Sequence, residues 1–285
     1  MKTVIFPNFQ KSNVLECTRN VCDILNENNI DVYIQKKYIK EFSDKTFVHF
    51  SDTADIVKDA DIAIAIGGDG TILKSAKYLI GSNTGLLGIN MGTLGFMASL
   101  EPHELSELER LKSGKYTISR RMMLKAKVIS ENGKTRILEA LNDISVARPY
   151  SKICDFEVKI ENNCIGQYRA DGVIFSTPTG STAYSLSAGG PVIEPSLECI
   201  EMTLICPHSL FTRPMLFSPE KKLTVSRHIR GEKDMCLSVD GNEPLLLKTG
   251  DIIEISKSEN YINLIDMRDN TFYNSLNKKL MQTIK

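Results

Sequence analysis

Residues 61–71 read Asp-Ile-Ala-Ile-Ala-Ile-Gly-Gly-Asp-Gly-Thr, and the architecture of the first half of the chain follows from that stretch. Ile62 to Ile66 is an unbroken apolar run of strand length, the pattern of a strand covered on both faces. Gly67 and Gly68 let the backbone turn sharply, and Thr71 to Leu79 then carries a helical pattern. Strand, glycine turn and helix make the repeating unit of a parallel α/β sheet.

The same alternation continues outward in both directions. Lys2–Phe6 and Asp31–Ile34 read as strands, and Val14, Cys17, Val21, Ile24 and Leu25 fall at helical spacing between them. Gly85–Asn90 reads as a fourth strand ending in a loop with Gly92 and Gly95. Residues 1–120 are therefore expected to form an α/β domain with a mostly parallel, Rossmann-like sheet. From Arg121 onward the runs shorten and become β-rich: Met123–Ser130, Thr135–Val146, Phe156–Ile160, Gly172–Ser176, Leu223–Ser226, Met235–Val239 and Asp251–Ser256. That series predicts an all-β, sandwich-like or barrel-like domain over 121–262. Asp266–Lys285 reads as an amphipathic helical tail with Phe272, Leu276 and Leu280 four apart.

Bulk composition narrows the function classes. Lys plus Arg and Asp plus Glu are equal at 35 each, so no overall field draws the chain to nucleic acid or to an anionic membrane. The apolar runs are too short to span a bilayer. Seven cysteines, an odd number with no CxxC pair, predict free thiols in a reducing, cytoplasmic compartment. The four histidines are scattered away from paired cysteines, so no side-chain metal site is expected.

Two stretches carry chemistry. In Gly67-Gly68-Asp69-Gly70-Thr71 the glycines admit a close ligand, and the N–H groups at the start of the following helix suit phosphate oxygens. No Gly-Lys-Ser/Thr follows and GxGxxG is absent, so neither common nucleotide loop applies. Asp69 is the anomaly, because a carboxylate beside a phosphate repels it unless it has a task. It serves as the base for an attacking hydroxyl, as a metal holder on the phosphates, or as a helix N-cap. The second stretch is Arg169 to Pro191, where Asp171-Gly172 leads into Thr177-Pro-Thr-Gly-Ser-Thr-Ala-Tyr-Ser-Leu-Ser-Ala-Gly-Gly-Pro191. Its hydroxyls and backbone suit a base and a ribose edge, and Tyr184 offers a stacking face; the alternative is a hairpin-rich surface loop. Asn142-Asp143 at a strand end suits the two hydroxyls of a ribose, or a turn, and Asp240-Gly241-Asn242 reads as a turn.

In this order and spacing the motifs closely resemble the NAD kinase family over nearly the whole chain, and Gly88-Ile-Asn90-Met-Gly92-Thr-Leu-Gly95-Phe96 resembles that family's next loop. The Gly-Gly-Asp-Gly-Thr element alone is shared with lipid kinases; the 177–191 run is the specific part. The resemblance implies phosphorylation of the 2′-hydroxyl on the adenosine ribose of NAD, giving NADP, with ATP or polyphosphate as donor. It also implies a divalent metal such as magnesium, a homo-oligomer (dimer or tetramer), and a tail over 263–285 that packs back on the first domain.

Carried over by position, Asp69 is the general base and Gly70 contacts the dinucleotide. Gly67, Gly68, Gly70 and Thr71 form the phosphate loop, and Lys74 meets a phosphate or lies solvated. Asn142 and Asp143 hold the ribose and phosphate region. Thr182, Ala183, Tyr184, Ser185, Leu186 and Ser187 line the adenine pocket. Asp171 faces the nicotinamide side, with Lys152 and Arg169 as contacts from a neighbouring subunit, and Asn242 sits near the reacting adenosine. Two positions depart from the pattern: Asp143 stands where Glu is common, and Asn242 where Gln or Glu is frequent. A small-alcohol or lipid kinase and a non-catalytic dinucleotide sensor are the rival readings.

Overall fold

In the computed structural model, residues 1–93, 95–149, 153–161, 163–227, 235–268 and 271–280 are described, leaving aside the side chains of Ala54, Thr271 and Leu280. The chain divides into two compact units, Met1–Arg120 with Ile262–Lys285, and Arg121–Tyr261.

The first unit is built on parallel strands β1 (Lys2–Pro7), β2 (Asp31–Gln35), β3 (Val48–Ser51), β4 (Ile62–Gly67) and β5 (Gly85–Asn90). Their spatial order is β3-β2-β1-β4-β5, and Asn263 and Leu264 pair with Gly85 and Leu86 beyond β5, again in parallel. Every residue of β4 and β5 is buried, as the apolar run Ile62–Ile66 requires. The chain moves outward from β1 to β3, then returns to the other side of β1 with β4. Strand order thus reverses between β1 and β4, and in open α/β sheets ligands bind beyond the carboxyl ends of the strands at such a point.

Helix α1 (Val14–Glu27) buries Val14, Cys17, Val21, Cys22 and Leu25 on one face. Asn29, at φ 55°, ends it: the Ile30 N–H reaches the Leu25 carbonyl and the Asn29 N–H the Asn26 carbonyl, satisfying carbonyls that the helix leaves open. A short helix α2 (Thr53–Lys58) precedes β4, and α3 (Asp69–Ala76) follows it. The helix after the glycine turn therefore starts two residues earlier than its apolar pattern shows, because Gly68 is the cap and Asp69 already has helical backbone. It also closes sooner, passing into a 3-10 turn over Lys77–Leu79. The final helix, Thr271–Leu280, begins five residues later than the tail pattern predicted.

The second unit is an antiparallel sandwich. One sheet runs β10 (Asn163–Ala170), β9 (Cys154–Ile160), β14 (Leu223–Arg227), β17 (Ile252–Asp266), with β6 (Thr117–Ile129) pairing β17 and β7 (Thr135–Ala140) pairing β6. The other runs β13 (Met215–Phe217), β12 (Ile200–Ile205), β11 (Gly172–Ser176), β8 (Asp143–Ala147), β15 (Met235–Val239), β16 (Leu245–Leu247). Phe156, Val158, Val225 and Ile255 from the first pack with Ile144, Val173, Phe175 and Leu237 from the second in one buried core. The division between units falls within β6 and within β17. The predicted run 135–146 is two strands broken at Leu141-Asn142. The break has a physical cause: the N–H groups of Leu141, Asn142 and Asp143 all donate to the Asp240 carboxylate, at 3.0, 2.8 and 3.1 Å, rather than to a ladder partner.

Gly88 in β5 is what lets α3 lie close to the sheet. A Cβ there would collide with Ile72 of α3 and with the Ala98 backbone. Gly88→Val is expected to lower stability by about 1–3 kcal/mol through overpacking. Urea denaturation measures this, and an unchanged midpoint would show that α3 does not press on β5.

Candidate active site

The glycine loop of the first unit opens into a cleft of about 330 Å3 beyond β1 and β4, lined by Asn8, Lys11, Gly68, Asp69, Gly70, Thr71, Lys74, Thr93, Gly95 and Lys279. Gly67 closes the buried end of β4 and Gly68 caps α3. Asp69 is the first residue of that helix and not its cap. Its carboxylate accepts the N–H of Phe96 at 2.8 Å and of Met97 at 3.3 Å, from the loop that follows β5. Gly95 is obligatory beside it, since a Cβ at that position would sit on the carboxylate. Thr71 turns inward: its hydroxyl accepts the Gly68 N–H and, at 3.4 Å, the side-chain amide of Asn8. The first turn of α3 presents backbone N–H groups that have no carbonyl a turn earlier, which favours anions. Lys74 is exposed on that helix.

In the second unit, β8, β11 and β15 are neighbours, and their ends bring three motifs together. Ser176 pairs with Asp143, and Val239 with Ile144. The Thr177 hydroxyl donates to the Leu141 carbonyl at 2.6 Å, and its N–H to the Asn142 carbonyl at 2.9 Å. Gly180 lies so close to the Asn142 backbone that no Cβ fits. Asn142 is buried, and its Oδ1 has no hydrogen-bond partner in the protein. A buried acceptor of that kind is suited to a donor from a ligand. Asp143 is buried beside Asp240, and burial first, then that neighbouring charge, push its carboxyl up to about 7.

The 176–191 run is held from below by a carboxylate. Glu201 is fully buried in β12 and accepts the hydroxyls of Ser176 (2.8 Å), Ser185 (2.7 Å) and Thr203 (3.0 Å). A buried carboxylate needs donors of this kind. The Ser181 hydroxyl is likewise committed, donating to the Pro178 carbonyl at 2.7 Å and accepting the Ile193 N–H. Helix α4 (Tyr184–Ser187) stands on this layer, with Tyr184 45% exposed and its phenol pushed up by burial and by the charge of Asp143. Ser185 thus points its hydroxyl inward to Glu201, while Tyr184 and Ser187 are exposed and Thr182, Ala183 and Leu186 are half-buried.

The other expected residues lie apart from these two clusters or at their edges. Asp171 lies at the end of β11 away from Ser176, its N–H bonded to the Ile205 carbonyl. Arg169 is exposed on β10, 3.9 Å from Asp155. The Asn242 side-chain amide donates at 2.5 Å to the Val239 carbonyl within its own turn. Lys152 lies outside the described residues. Sequence reasoning missed Lys11, Lys279 and Glu201, and it read Asp240 as a turn residue without its bonds to the N–H groups of Leu141, Asn142 and Asp143. The signal for Glu201 was a lone carboxylate inside the apolar strand Ile-Glu-Met-Thr-Leu-Ile. For Lys11 it was position just beyond a central parallel strand.

The chain is similar to known proteins along nearly its whole length. Residues 4–116 match the family model described as the ATP-NAD kinase N-terminal domain, and residues 141–267 that of the ATP-NAD kinase C-terminal domain. The NAD kinase of Natranaerobius thermophilus is 39% identical over 278 residues, covering 97% of this chain and 96% of that one. The NAD kinase of a Thermoanaerobacter strain is 36% identical over 285 residues, covering 99% of each. Among solved structures, yeast NADH kinase complexed with NADH superposes with a TM-score of 0.91 at 25% identity, covering 100% of this chain and 89% of the other.

Asp143 gives a test that needs no ligand. Its carboxyl is raised to about 7 in the folded chain, whereas an unfolded aspartate titrates near ~3.9. The folded state therefore binds the extra proton between those values, so stability is greatest at the acid end and falls as pH rises through about 7. The urea midpoint is expected to drop between pH 5 and pH 8, with Asp143→Asn flattening that slope. A wild-type slope in the variant would show that Asp143 does not hold the buried proton.

Proposed function

The chain belongs to the NAD kinase family, and from that membership we infer that it transfers a phosphoryl group from ATP to NAD, with Asp69 taking the proton of the attacking hydroxyl. The observation that carries the role of Asp69 is its anchoring. Two backbone N–H groups, from Phe96 and Met97, hold one carboxylate at the first turn of α3. Each oxygen of an ionised carboxylate has more than one lone pair, so both anchors leave acceptor capacity for a hydroxyl.

The acceptor is the 2′-hydroxyl of the adenosine ribose. Its oxygen bonds to the terminal phosphorus as the bond from that phosphorus to the bridging oxygen breaks, giving NADP and ADP. The hydroxyl proton passes to Asp69 and then to solvent. Such transfers need alignment and charge neutralisation more than covalent help. Gly67, Gly68, Gly70 and Thr71 seat the donor phosphates, and Lys74 adds charge beside them. A divalent metal fits as a partner of the phosphates: among the described residues Asp69 is the one carboxylate lining the cleft, and magnesium keeps much of its shell in water and phosphate oxygens. When bound, the metal would spread the charge of the phosphoryl group.

On the acceptor side, Asn142 and Asp143 hold the ribose region, supported by the free Asn142 Oδ1. Residues Thr182 to Ser187 frame the adenine, with the exposed face of Tyr184 for stacking, and Asp171 and Asn242 contribute at the dinucleotide's margins. Leu210 and Phe211, 88% and 90% exposed, and Leu216 on the edge strand β13 support self-association into a homo-oligomer, where Arg169 and Lys152 would serve a neighbouring copy. The seven free cysteines, with Cys17, Cys22 and Cys154 buried and their thiols pushed up to about 11, 12 and 11 by desolvation, support a reducing cytoplasm.

Purified protein with NAD, ATP and magnesium is expected to form NADP, scored by an NADP-specific dehydrogenase. No product with ATP or with inorganic polyphosphate would overturn the reading. Asp69→Asn is expected to lower kcat by about 100- to 10,000-fold, the range of a lost general base, and to leave NAD affinity largely intact. Near-full turnover in that variant would remove Asp69 from the chemistry and favour a binding role for the loop.

A further inference from the structure

Lys11, Lys74 and Lys279 converge on one small cleft, and among the described residues Asp69 is the one carboxylate lining it. They come from segments far apart in sequence: the turn after β1, helix α3 and the final helix Thr271–Leu280. Among the described residues, none of the three lies within 4 Å of a carboxylate. Like charges gathered over a shared space repel one another unless an anion joins them.

Lys11 and Lys279 are built into this cleft. The Lys11 ammonium lies over Gly68, where an added Cβ would come within 2.8 Å of it, and it also faces Gly92. Gly68 has an extended φ of −144°, which any residue adopts, so the glycine there makes room for the ammonium. The Lys279 ammonium lies 4.4 Å from the centroid of the Phe96 ring, within cation–π range. Phe96 also donates its N–H to Asp69 and packs on Phe272 of the same helix at 6.3 Å. The helix is thus joined, through one phenylalanine, to the loop that holds the carboxylate.

We propose that Lys11 and Lys279 bind the terminal phosphates of the phosphoryl donor, and that the helix Thr271–Leu280 is thereby a working part of the donor site. The inference rests on the kinase reading above and adds two residues to it. The cleft balances three positive side chains against one negative one, which suits a triphosphate carrying several charges. Lys279 acts as a compact point charge, the usual way lysine meets phosphate.

The test separates donor from acceptor. Lys11→Ala and Lys279→Ala are each expected to raise the KM for ATP about tenfold, the size of one lost charge-assisted contact, with the KM for NAD within about twofold of wild type. Lys279→Arg is expected to restore most of the ATP KM. Calorimetric titration with tripolyphosphate and magnesium, which requires no turnover, is expected to show weaker binding by a similar factor in both alanine variants. An unchanged ATP KM in Lys279→Ala, or equal rises in the KM for ATP and NAD, overturns the proposal. Wild-type protein that forms no NADP overturns the kinase reading instead, while tripolyphosphate binding still reports on the two lysines.

Discussion

The contact on which the first unit's site depends is the pair of hydrogen bonds from Phe96 and Met97 N–H to the Asp69 carboxylate. It ties the loop after β5 to the helix after β4, so two neighbouring βα connections behave as one object. A carboxylate near phosphate sites is electrostatically awkward on a mobile loop, because it would swing toward any cation. Anchored by two backbone donors, it keeps one orientation. Gly95 follows as a steric necessity, and Gly88 lets the helix approach the sheet so that the bonds reach. Three glycines usually credited to flexibility, 68, 88 and 95, are here about room: for Lys11, for Ile72 and for Asp69.

The second unit solves a related problem with the same chemistry. Asp240 gathers three consecutive N–H groups and so bends the chain at Asn142. Glu201 gathers three hydroxyls and so fixes the floor beneath α4. Both carboxylates orient backbone or hydroxyl groups whose own side of the fold carries the candidate ligand contacts. Their cost is visible in Asp143, whose burial beside Asp240 raises its carboxyl toward neutrality. A hydroxyl that donates to a buried carboxylate has no proton left for a ligand, so Ser185 supports the pocket from underneath and Tyr184 presents its face.

How much of this was legible in the residues depended on range. The run Ile62–Ile66, the glycine turn and the spacing of Val14, Cys17, Val21 and Leu25 are local patterns, and they led to the parallel half and its order of strand and helix. The β-rich half was equally plain from its short alternating runs. What stayed hidden were groups whose meaning lies in partners far along the chain. Asp240 reads as a complete turn residue, since Asp-Gly-Asn is a turn by itself, and its N–H partners stand about a hundred residues earlier. Lys279 reads as a solvated helix lysine until the fold sets it over Phe96. Edge strands such as β13, three residues long, are too brief to leave a periodic signal.

The division of the first unit into two stretches of sequence has a consequence for biosynthesis. Residues 121–261 leave the ribosome as one uninterrupted block, while the first unit is completed only by residues translated after that block. The strand segment that pairs with β5, the Met267 N–H that donates to the Ser99 hydroxyl and the Arg268 guanidinium on the Ser99 carbonyl all arrive only then. Until that moment the Gly85-Leu86 end of β5 lacks its outer partner, while Ile89 is already bridged to Leu100, and such a partial edge is the kind of surface on which chaperones act and partial chains aggregate. The first unit is thus closed only by residues that follow the sandwich in the chain.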